Sequence, residues 1–198
     1  MIRLLLATRN RHKTREFTEM LGTEFCLTDL ATHPEVPEVP ERGCTFAENA
    51  RLKATTVSRL LPGFVLADDS GLEVDSLGGA PGVYSARYAG KGATDAANRR
   101  KLLDAMAELP PEAPRSARFR CVLVLARAGE VIAIFDGAAE GEIVRVERGT
   151  AGFGYDPLFR PNGFDETFAE LSAMQKNALS HRGAAVARLR EFFKTARF

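Results

Sequence analysis

The chain has 198 residues, of which 45% are hydrophobic and 27% charged, a composition typical of globular proteins rather than disordered or fibrous ones. Lysine and arginine number 27 against 26 aspartates and glutamates, so the formal net charge is +1. This near-zero charge provides no general attraction to nucleic acid or to a membrane, and any anion site must therefore be local. We expect residues 1–198 to form one domain, or two closely joined lobes.

The cysteines and the N-terminus indicate the compartment. Cys26, Cys44 and Cys121 are widely spaced and lack the paired spacing of a zinc site or a disulfide framework. The apolar run Met1–Ala7 is too short for a signal peptide, and no run approaches the roughly 20 apolar residues of a membrane span. The sequence therefore predicts a cytoplasmic protein with core thiols, and no binding to nucleic acid or membranes.

The first part of the chain alternates apolar runs with helical patterns. Ile2–Ala7 predicts a strand, and the apolar spacing around residues 17–21 predicts a helix after it. An extended segment at 25–30 precedes a loop with three prolines at 34–40, which excludes a regular helix there.

A second helix and a third strand follow this loop. Thr45 and Glu48 have the spacing of a capping box, which predicts a helix over about residues 46–61. Residues 64–67 then predict a buried strand that ends at Asp68, followed by a glycine-rich loop near residues 78–82.

The second part of the chain predicts a helix and then three strands of a meander, at 94–109, 117–126, 131–135 and 142–147. Ser180 is a plausible cap for a last helix, whose apolar residues recur at helical spacing. Because strands alternate with helices early and cluster late, we expect an α/β fold with a mixed, twisted sheet flanked by helices.

The junction between the first strand and the first helix carries a candidate phosphate site. Thr8, Arg9 and Asn10 precede the helix, and Lys13 lies within its first turn. Backbone N–H groups, the positive end of the helix dipole and a lysine together favour phosphate. The glycine spacing of a P-loop is missing, and a solvated basic helix start is the alternative.

Lys53 and the two aspartates are the next candidates. Lys53 lies near the apolar edge of the second helix, so it must either extend to solvent or meet an anion; an ordinary surface lysine is the alternative. Asp68 and Asp69 would repel each other unless a cation or donors compensate, and carboxylate oxygens are ligands that Mg²⁺ prefers. The alternative is an Asp-Asp-Ser-Gly turn.

Two later segments are further candidates for ligand binding. Phe153–Pro157 offers aromatic rings for stacking beside a carboxylate, although such a ring could equally cap the core. His181 and Arg182 open the last helix, where cations oppose the helix dipole, so a bound acceptor would explain them. A surface histidine is the alternative reading of His181.

Six segments, taken in order along the chain, match the motifs of a single protein family. They are Leu6–Asn10 with Lys13 and Glu16, Thr45–Ala50 with Lys53, Ala67–Leu72, Gly78–Tyr88, Gly152–Pro157, and Lys176–Asn177 with Ser180–Gly183. Together they resemble the inosine triphosphate pyrophosphatase family, the dITP/XTP pyrophosphatases, along nearly the whole chain. The resemblance implies an elongated two-lobed α/β fold with the active site in the cleft, a homodimer, and Mg²⁺-dependent hydrolysis of non-standard purine nucleoside triphosphates to the monophosphate and pyrophosphate.

The resemblance also implies roles for individual residues. Asp69 matches the general base and metal ligand, with Asp68 and Glu41 as further metal candidates. The substrate contacts that it implies are Thr8, Arg9, Asn10, Lys13, Lys53 and Lys176 for the phosphate end, Ser70, and Phe153, Gly154, Tyr155, Asp156, His181 and Arg182 for the base. Many members carry glycine where this chain has Arg9, which therefore either adopts an ordinary φ or adds a charge of its own.

These roles predict a mechanism in which Asp69 deprotonates a water for in-line attack on phosphorus, while lysines and metal neutralise the triphosphate. His181 and Arg182 would donate to a purine 6-oxo group and reject adenine; this does not explain how guanine is excluded. Two alternatives stay open: a pyrophosphatase acting on modified pyrimidine triphosphates, and a nucleotide-binding module without turnover.

Overall fold

The computed structural model describes residues 1–196. Within them the strands are β1 Ile2–Leu6, β2 Phe25–Asp29, β3 Phe64–Val74, β4 Ser116–Arg127, β5 Glu130–Ile143 and β6 Phe159–Pro161. The α-helices are α1 Arg11–Leu21, α2 Phe46–Leu60, α3 Asp95–Ala107, α4 Ala173–Leu179 and α5 His181–Thr195. None of these helices is both long and apolar enough to cross a membrane.

The strands form one six-stranded sheet in the order β2-β1-β3-β4-β5-β6. Strand β1 pairs in parallel with β2 and with β3, whereas β5 and β6 are antiparallel. Leu4, Leu5 and Leu6 are all buried, as is typical of a strand between parallel neighbours covered on both faces. The predicted mixed sheet flanked by helices is therefore confirmed.

A two-residue turn joins β4 to β5. Ala128 has φ 52° and Gly129 has φ 86°, and a type I′ turn requires positive φ at both central positions. The predicted hairpin is thus confirmed, but the separate third strand at 142–147 is wrong. Strand β5 instead runs without interruption to Ile143.

The chain divides into two compact units. Of the described residues, unit 1 comprises 1–69, 121–137 and 182–196, and unit 2 comprises 70–120 and 138–181. Each has its own apolar core. In the described part of unit 1, Phe17 and Leu21 of α1 and Leu189 of α5 pack with residues of β1, β3 and β4. In unit 2, Leu102 of α3 packs with Phe159, Phe168 and other residues.

The helix predictions are largely confirmed, and α2 shows why. Thr45 accepts from the Glu48 N–H while the Glu48 carboxylate accepts from the Thr45 N–H, which is the predicted capping box. Strand β3, however, does not end at Asp68. It continues to Val74, so both aspartates lie inside a strand, and the prediction of a strand end there is wrong.

Candidate active site

Asp68 lies at the centre of a buried charge cluster in unit 1. Its Oδ2 is 2.5 Å from Lys13 Nζ of α1 and 3.6 Å from Arg182 Nε of α5. Burial alone would raise the pKa of Asp68, but Lys13 and Arg182 outweigh it and hold this pKa well below its usual range. The Asp68 carboxylate is therefore ionised and compensated by protein cations.

Asp69 contacts a different set of residues, because side chains alternate between the two faces along a strand. Its Oδ1 accepts from Lys53 Nζ at 2.9 Å, and the same ammonium donates to Glu41 Oε1 at 2.9 Å and to the Asp68 carbonyl at 2.7 Å. Lys53 therefore meets protein anions, which answers the question raised by its position at the apolar edge of α2.

The protonation of Asp69 and Lys53 follows from their burial and their contact. Burial raises the pKa of Asp69, and Lys53 only partly opposes this effect. Burial would lower the pKa of Lys53, but Asp69 and Glu41 raise it above its usual value, so the ammonium stays charged. A buried carboxylate with a raised pKa is a typical general base.

The predicted metal ligands do not form one cluster. Among residues 1–196 no group of three His, Cys, Asp or Glu side chains is arranged to hold a metal ion, since Asp68 contacts Lys13 whereas Asp69 and Glu41 share Lys53. Within the same residues, the buried Asp69 Oδ2 has no hydrogen-bond partner. A carboxylate oxygen without a hydrogen-bond partner is a suitable ligand for a hard divalent cation.

Side chains of the loop before α1 accept hydrogen bonds from backbone N–H groups of the loop and of the first turn of the helix. Thr8 Oγ1 accepts from the Asn10 N–H at 3.1 Å, and Asn10 Oδ1 caps α1 by accepting from the N–H groups of His12 and Lys13. Several backbone donors that we expected to face a phosphate are thus already bonded. Phosphate binding by Thr8 and Asn10 stays a prediction.

Arg9 adopts an ordinary backbone conformation, since Ala128 is the one non-glycine residue with positive φ in the described chain. Its guanidinium extends to the proline-containing loop, where Nη2 donates to the Val36 carbonyl at 2.5 Å and to the His33 carbonyl at 3.4 Å. The Arg9 side chain therefore ties two loops of unit 1 together.

We expect Arg9→Ala to lower the free energy of unfolding by about 1 kcal/mol, the usual net contribution of such a hydrogen bond. Exchange of the Val36 amide, whose N–H donates to His33 O, should accelerate. Urea unfolding and hydrogen exchange measure the two effects, with the exposed Arg11→Ala as the matched control. Equal behaviour of the two variants would show that the Arg9 contacts do not stabilise the loop.

A second group of candidate residues lies in unit 2. Asp156 Oδ2 accepts from the Phe153 N–H at 2.9 Å and from Lys176 Nζ at 2.5 Å, and the Lys176 ammonium lies 5.1 Å from the centre of the Phe153 ring. Asp156 and Lys176 are 3% and 6% exposed. A Cβ at residue 152 would lie 2.1 Å from Asp156 Oδ2, so Gly152 is required for this loop conformation.

Tyr155 points into the core of unit 2 and contacts the segment Gly82–Arg87. Its hydroxyl donates to the Ser85 carbonyl at 2.9 Å, and the residue is 4% exposed. Burial raises the pKa of this phenol. Tyr155 thus has the core-capping contacts that we considered as the alternative, and its role in base binding stays a prediction.

His181 and Arg182 are both buried at the start of α5. The His181 ring stacks on Phe119, with centroids 4.8 Å apart and an interplanar angle of 10°. The Arg182 guanidinium pairs with Glu16 at 3.1 Å. Protein groups therefore already compensate the Arg182 charge at this helix start.

Ser70 follows Asp69 in β3 and is half-buried.

One contact of Asp68 was not predicted by any pattern along the chain. The Cys121 Sγ of β4 lies 3.2 Å from Asp68 Oδ1 and donates to it, and burial raises the pKa of this thiol well above its usual value. Cys121 is buried, as predicted for a core thiol, whereas Cys26 is half-buried and Cys44 is exposed, so the prediction of a core thiol is wrong for Cys44. Its link to Asp68 joins two strands and could not be found from spacing along the chain.

Comparison with known proteins gives independent evidence about the family of this chain. The model of the Ham1 family matches residues 4–192. A dITP/XTP pyrophosphatase of Streptococcus thermophilus is 50% identical over 191 residues, and one of Streptococcus pyogenes is 49% identical over 191 residues. The alignments cover 96% of this chain but 59% and 58% of those proteins. The chain thus spans less than two thirds of the length of these relatives.

Solved structures match over nearly their full length. The HAM1 protein from Coxiella burnetii has a TM-score of 0.88 and 42% identity, covering 99% of this chain and 100% of that one. A nucleoside-triphosphatase, or dITP/XTP pyrophosphatase, from Mycobacterium abscessus has a TM-score of 0.75 and 41% identity, covering 95% and 98%.

Proposed function

The chain belongs to the Ham1 family, and on this basis we propose that it hydrolyses ITP, dITP and XTP to the nucleoside monophosphate and pyrophosphate. The names of the Streptococcus and Mycobacterium relatives support this substrate class. The observation that carries the proposal is Asp69, a buried carboxylate with a raised pKa, an open Oδ2 and a lysine on its other oxygen. Such a group suits proton abstraction from water.

We include a divalent metal, Mg²⁺, in the proposal. Asp69 Oδ2 and the half-buried Glu41 carboxylate supply oxygens of the kind that Mg²⁺ prefers. A protein usually contributes one or two carboxylate ligands to a bound Mg²⁺. When bound, the ion would neutralise phosphate charge. Asp68 is a weaker candidate ligand, because Lys13 and Arg182 already compensate its carboxylate.

The residues of this chain then act as follows. Asp69 orients a water molecule and accepts its proton as the water attacks phosphorus in line, and pyrophosphate leaves. Lys13 and Lys53 provide positive charge for the triphosphate, with Lys176, Thr8, Arg9 and Asn10 as further contacts at the phosphate end. Burial strengthens the electrostatic interactions of Lys53 and Lys176, because little water screens these two ammonium groups.

The remaining roles follow the family resemblance. Phe153, Gly154, Tyr155 and Asp156 would contact the base, and His181 and Arg182 would donate to its 6-oxo group. Ser70 is a further substrate contact. A homodimer, a location in the cytoplasm and a single two-lobed domain, without nucleic-acid or membrane partners, complete the proposal.

Pyrophosphate release is the direct test. We expect Mg²⁺-dependent release from ITP, dITP and XTP, and much slower release from ATP and GTP. Preferred release from modified pyrimidine triphosphates would favour the related pyrophosphatases instead. Tight nucleotide binding without release would leave a binding module, and the proposed function would be wrong.

Arg182→Ala should change base choice more than phosphate chemistry. If its guanidinium donates to the 6-oxo group, kcat/KM should fall for ITP but hardly for ATP, and the preference should shrink by about 1–3 kcal/mol. Steady-state kinetics with both substrates measures this ratio. Because Arg182 also contacts Glu16 and Asp68, an equal fall for both substrates would show that it acts through phosphate binding or structure.

A further inference from the structure

The backbone of Gly154 is held on both sides by charged side chains. Its N–H donates to Asp95 Oδ2 at 2.7 Å, and its carbonyl accepts from Arg99 Nη1 at 2.9 Å. Gly154 has φ +61°, in the left-handed region that favours glycine, although a Cβ there would meet no atom within 4 Å. Its backbone conformation, rather than lack of space, therefore explains the glycine.

Both charged residues belong to α3 and lie on the same face of it. Asp95 is the first residue of the helix, directly after the cap Thr94, and Arg99 follows four residues later, one turn along. Arg99 Nε also lies 3.0 Å from Glu147 Oε1. The two side chains thus project from a regular helix, and the Arg99 guanidinium is fixed by a second partner.

The same helix holds a second segment of unit 2. Asn98 is 2% exposed; its side chain accepts from the Ala89 N–H at 2.8 Å and donates to the Ala86 carbonyl at 3.2 Å. Lys101 Nζ donates to the Tyr88 carbonyl at 2.6 Å. The Tyr155 hydroxyl donates to the Ser85 carbonyl. Helix α3 therefore contacts both the loop Phe153–Pro157, through Gly154, and the neighbouring segment 85–89 that Tyr155 contacts.

We propose that Asp95 and Arg99 are positioning residues that hold Gly154 and thereby place Phe153 and Tyr155 for the base of the nucleotide. The proposal rests on the function given above and extends the base-binding group to a helix that no motif singled out. Hydrogen bonds to charged groups are the strong ones, and two of them fix the peptide groups on either side of Gly154. Loss of either bond lets the loop leave the conformation that receives the base.

Kinetics of matched variants test this role. Asp95→Ala and Arg99→Met should each raise KM for ITP about tenfold, the loss of one hydrogen bond to a charged group. Inhibition by inorganic tripolyphosphate, which has no base, should stay within about twofold of wild type. Asp95→Asn and Arg99→Lys, which keep an acceptor and a donor, should recover much of the loss.

The exposed Asp104→Asn and Arg100→Gln substitutions on the same helix are the controls, and both should behave as wild type. A KM within about twofold of wild type for Asp95→Ala and Arg99→Met would overturn the proposal. So would an equal weakening of tripolyphosphate inhibition, since that would indicate general loss of structure.

Hydrogen exchange at the Gly154 amide separates this inference from the proposed function. Its exchange should be faster in Asp95→Ala than in Asp104→Asn, whatever the substrate is. If wild type releases no pyrophosphate but the Gly154 amide responds, the proposed function fails while Asp95 still holds the loop. Unchanged exchange in Asp95→Ala would overturn the positioning role directly.

Discussion

Replacing Asp69 with asparagine is expected to lower kcat for pyrophosphate release by at least about a hundredfold, because the amide keeps the shape of the side chain but is not basic. The substitution also removes the negative charge from the open Oδ2, which is the oxygen proposed for the metal. Lys53 keeps Glu41 as a carboxylate partner, so we expect the fold to survive.

Three measurements together decide the role of Asp69. Single-turnover and steady-state rates with ITP give the loss of turnover, thermal unfolding checks the fold, and titration calorimetry with ITP checks binding. Asp136→Asn, at an exposed position of β5, is the matched control and should keep full activity. Near-wild-type turnover in the Asp69 variant would remove this residue from the mechanism.

Local patterns predicted much of the fold because each depends on neighbours along the chain. The Thr45 and Glu48 capping box marked the start of α2, and the apolar spacing from Phe17 to Leu21 marked α1. Helix α4 was missed, although Ser172 and Gln175 form a capping box at its start. The signal was present, but the helix has only 7 residues and lacks a long apolar stripe.

The course of β3 could not be predicted, because it depends on residues far away in the sequence. Aspartates are depleted in strands, so Asp68 and Asp69 appeared to end one. Lys13 of α1 and Lys53 of α2 instead supply the charges that allow the two carboxylates to lie inside β3. Asp68 and Asp69 have different partners because successive side chains of a strand point to opposite faces of the sheet. This rule could be used only once both residues were known to lie in a strand.

For the candidate residues, the sequence indicated where a buried charge would need compensation, but not which side chains would supply it. The position of Lys53 at the apolar edge of α2 left two outcomes, extension to solvent or contact with an anion, and the structure supplies the anions Asp69 and Glu41. The basic start of α5 predicted a bound acceptor, but Glu16 and Asp68 compensate Arg182. Charge complementarity could be anticipated from single residues, whereas the identity of the partner required the fold.

Asp68→Asn is expected to cost about 3–5 kcal/mol in the free energy of unfolding at pH 7, the usual effect of removing one partner from a buried ion pair. The Asp68 side chain is 1% exposed, and the substitution leaves Lys13 and Arg182 without this charge. Urea unfolding of chelator-treated protein measures the difference. Asp136→Asn, an exposed carboxylate, should change the free energy by less than about 0.5 kcal/mol.

The dependence of this difference on pH identifies charge as its cause. The pKa of Asp68 is lowered in the folded protein, whereas an unfolded aspartate has a pKa of about 3.9. The stabilisation is therefore fully present above about pH 5 and is lost as the pH falls below about 4 towards the folded pKa. Asparagine does not titrate, so the gap between wild type and Asp68→Asn should narrow between pH 5 and about pH 3. A gap that stays constant over this range would mean that packing around residue 68, and not its ion pairs, stabilises the protein.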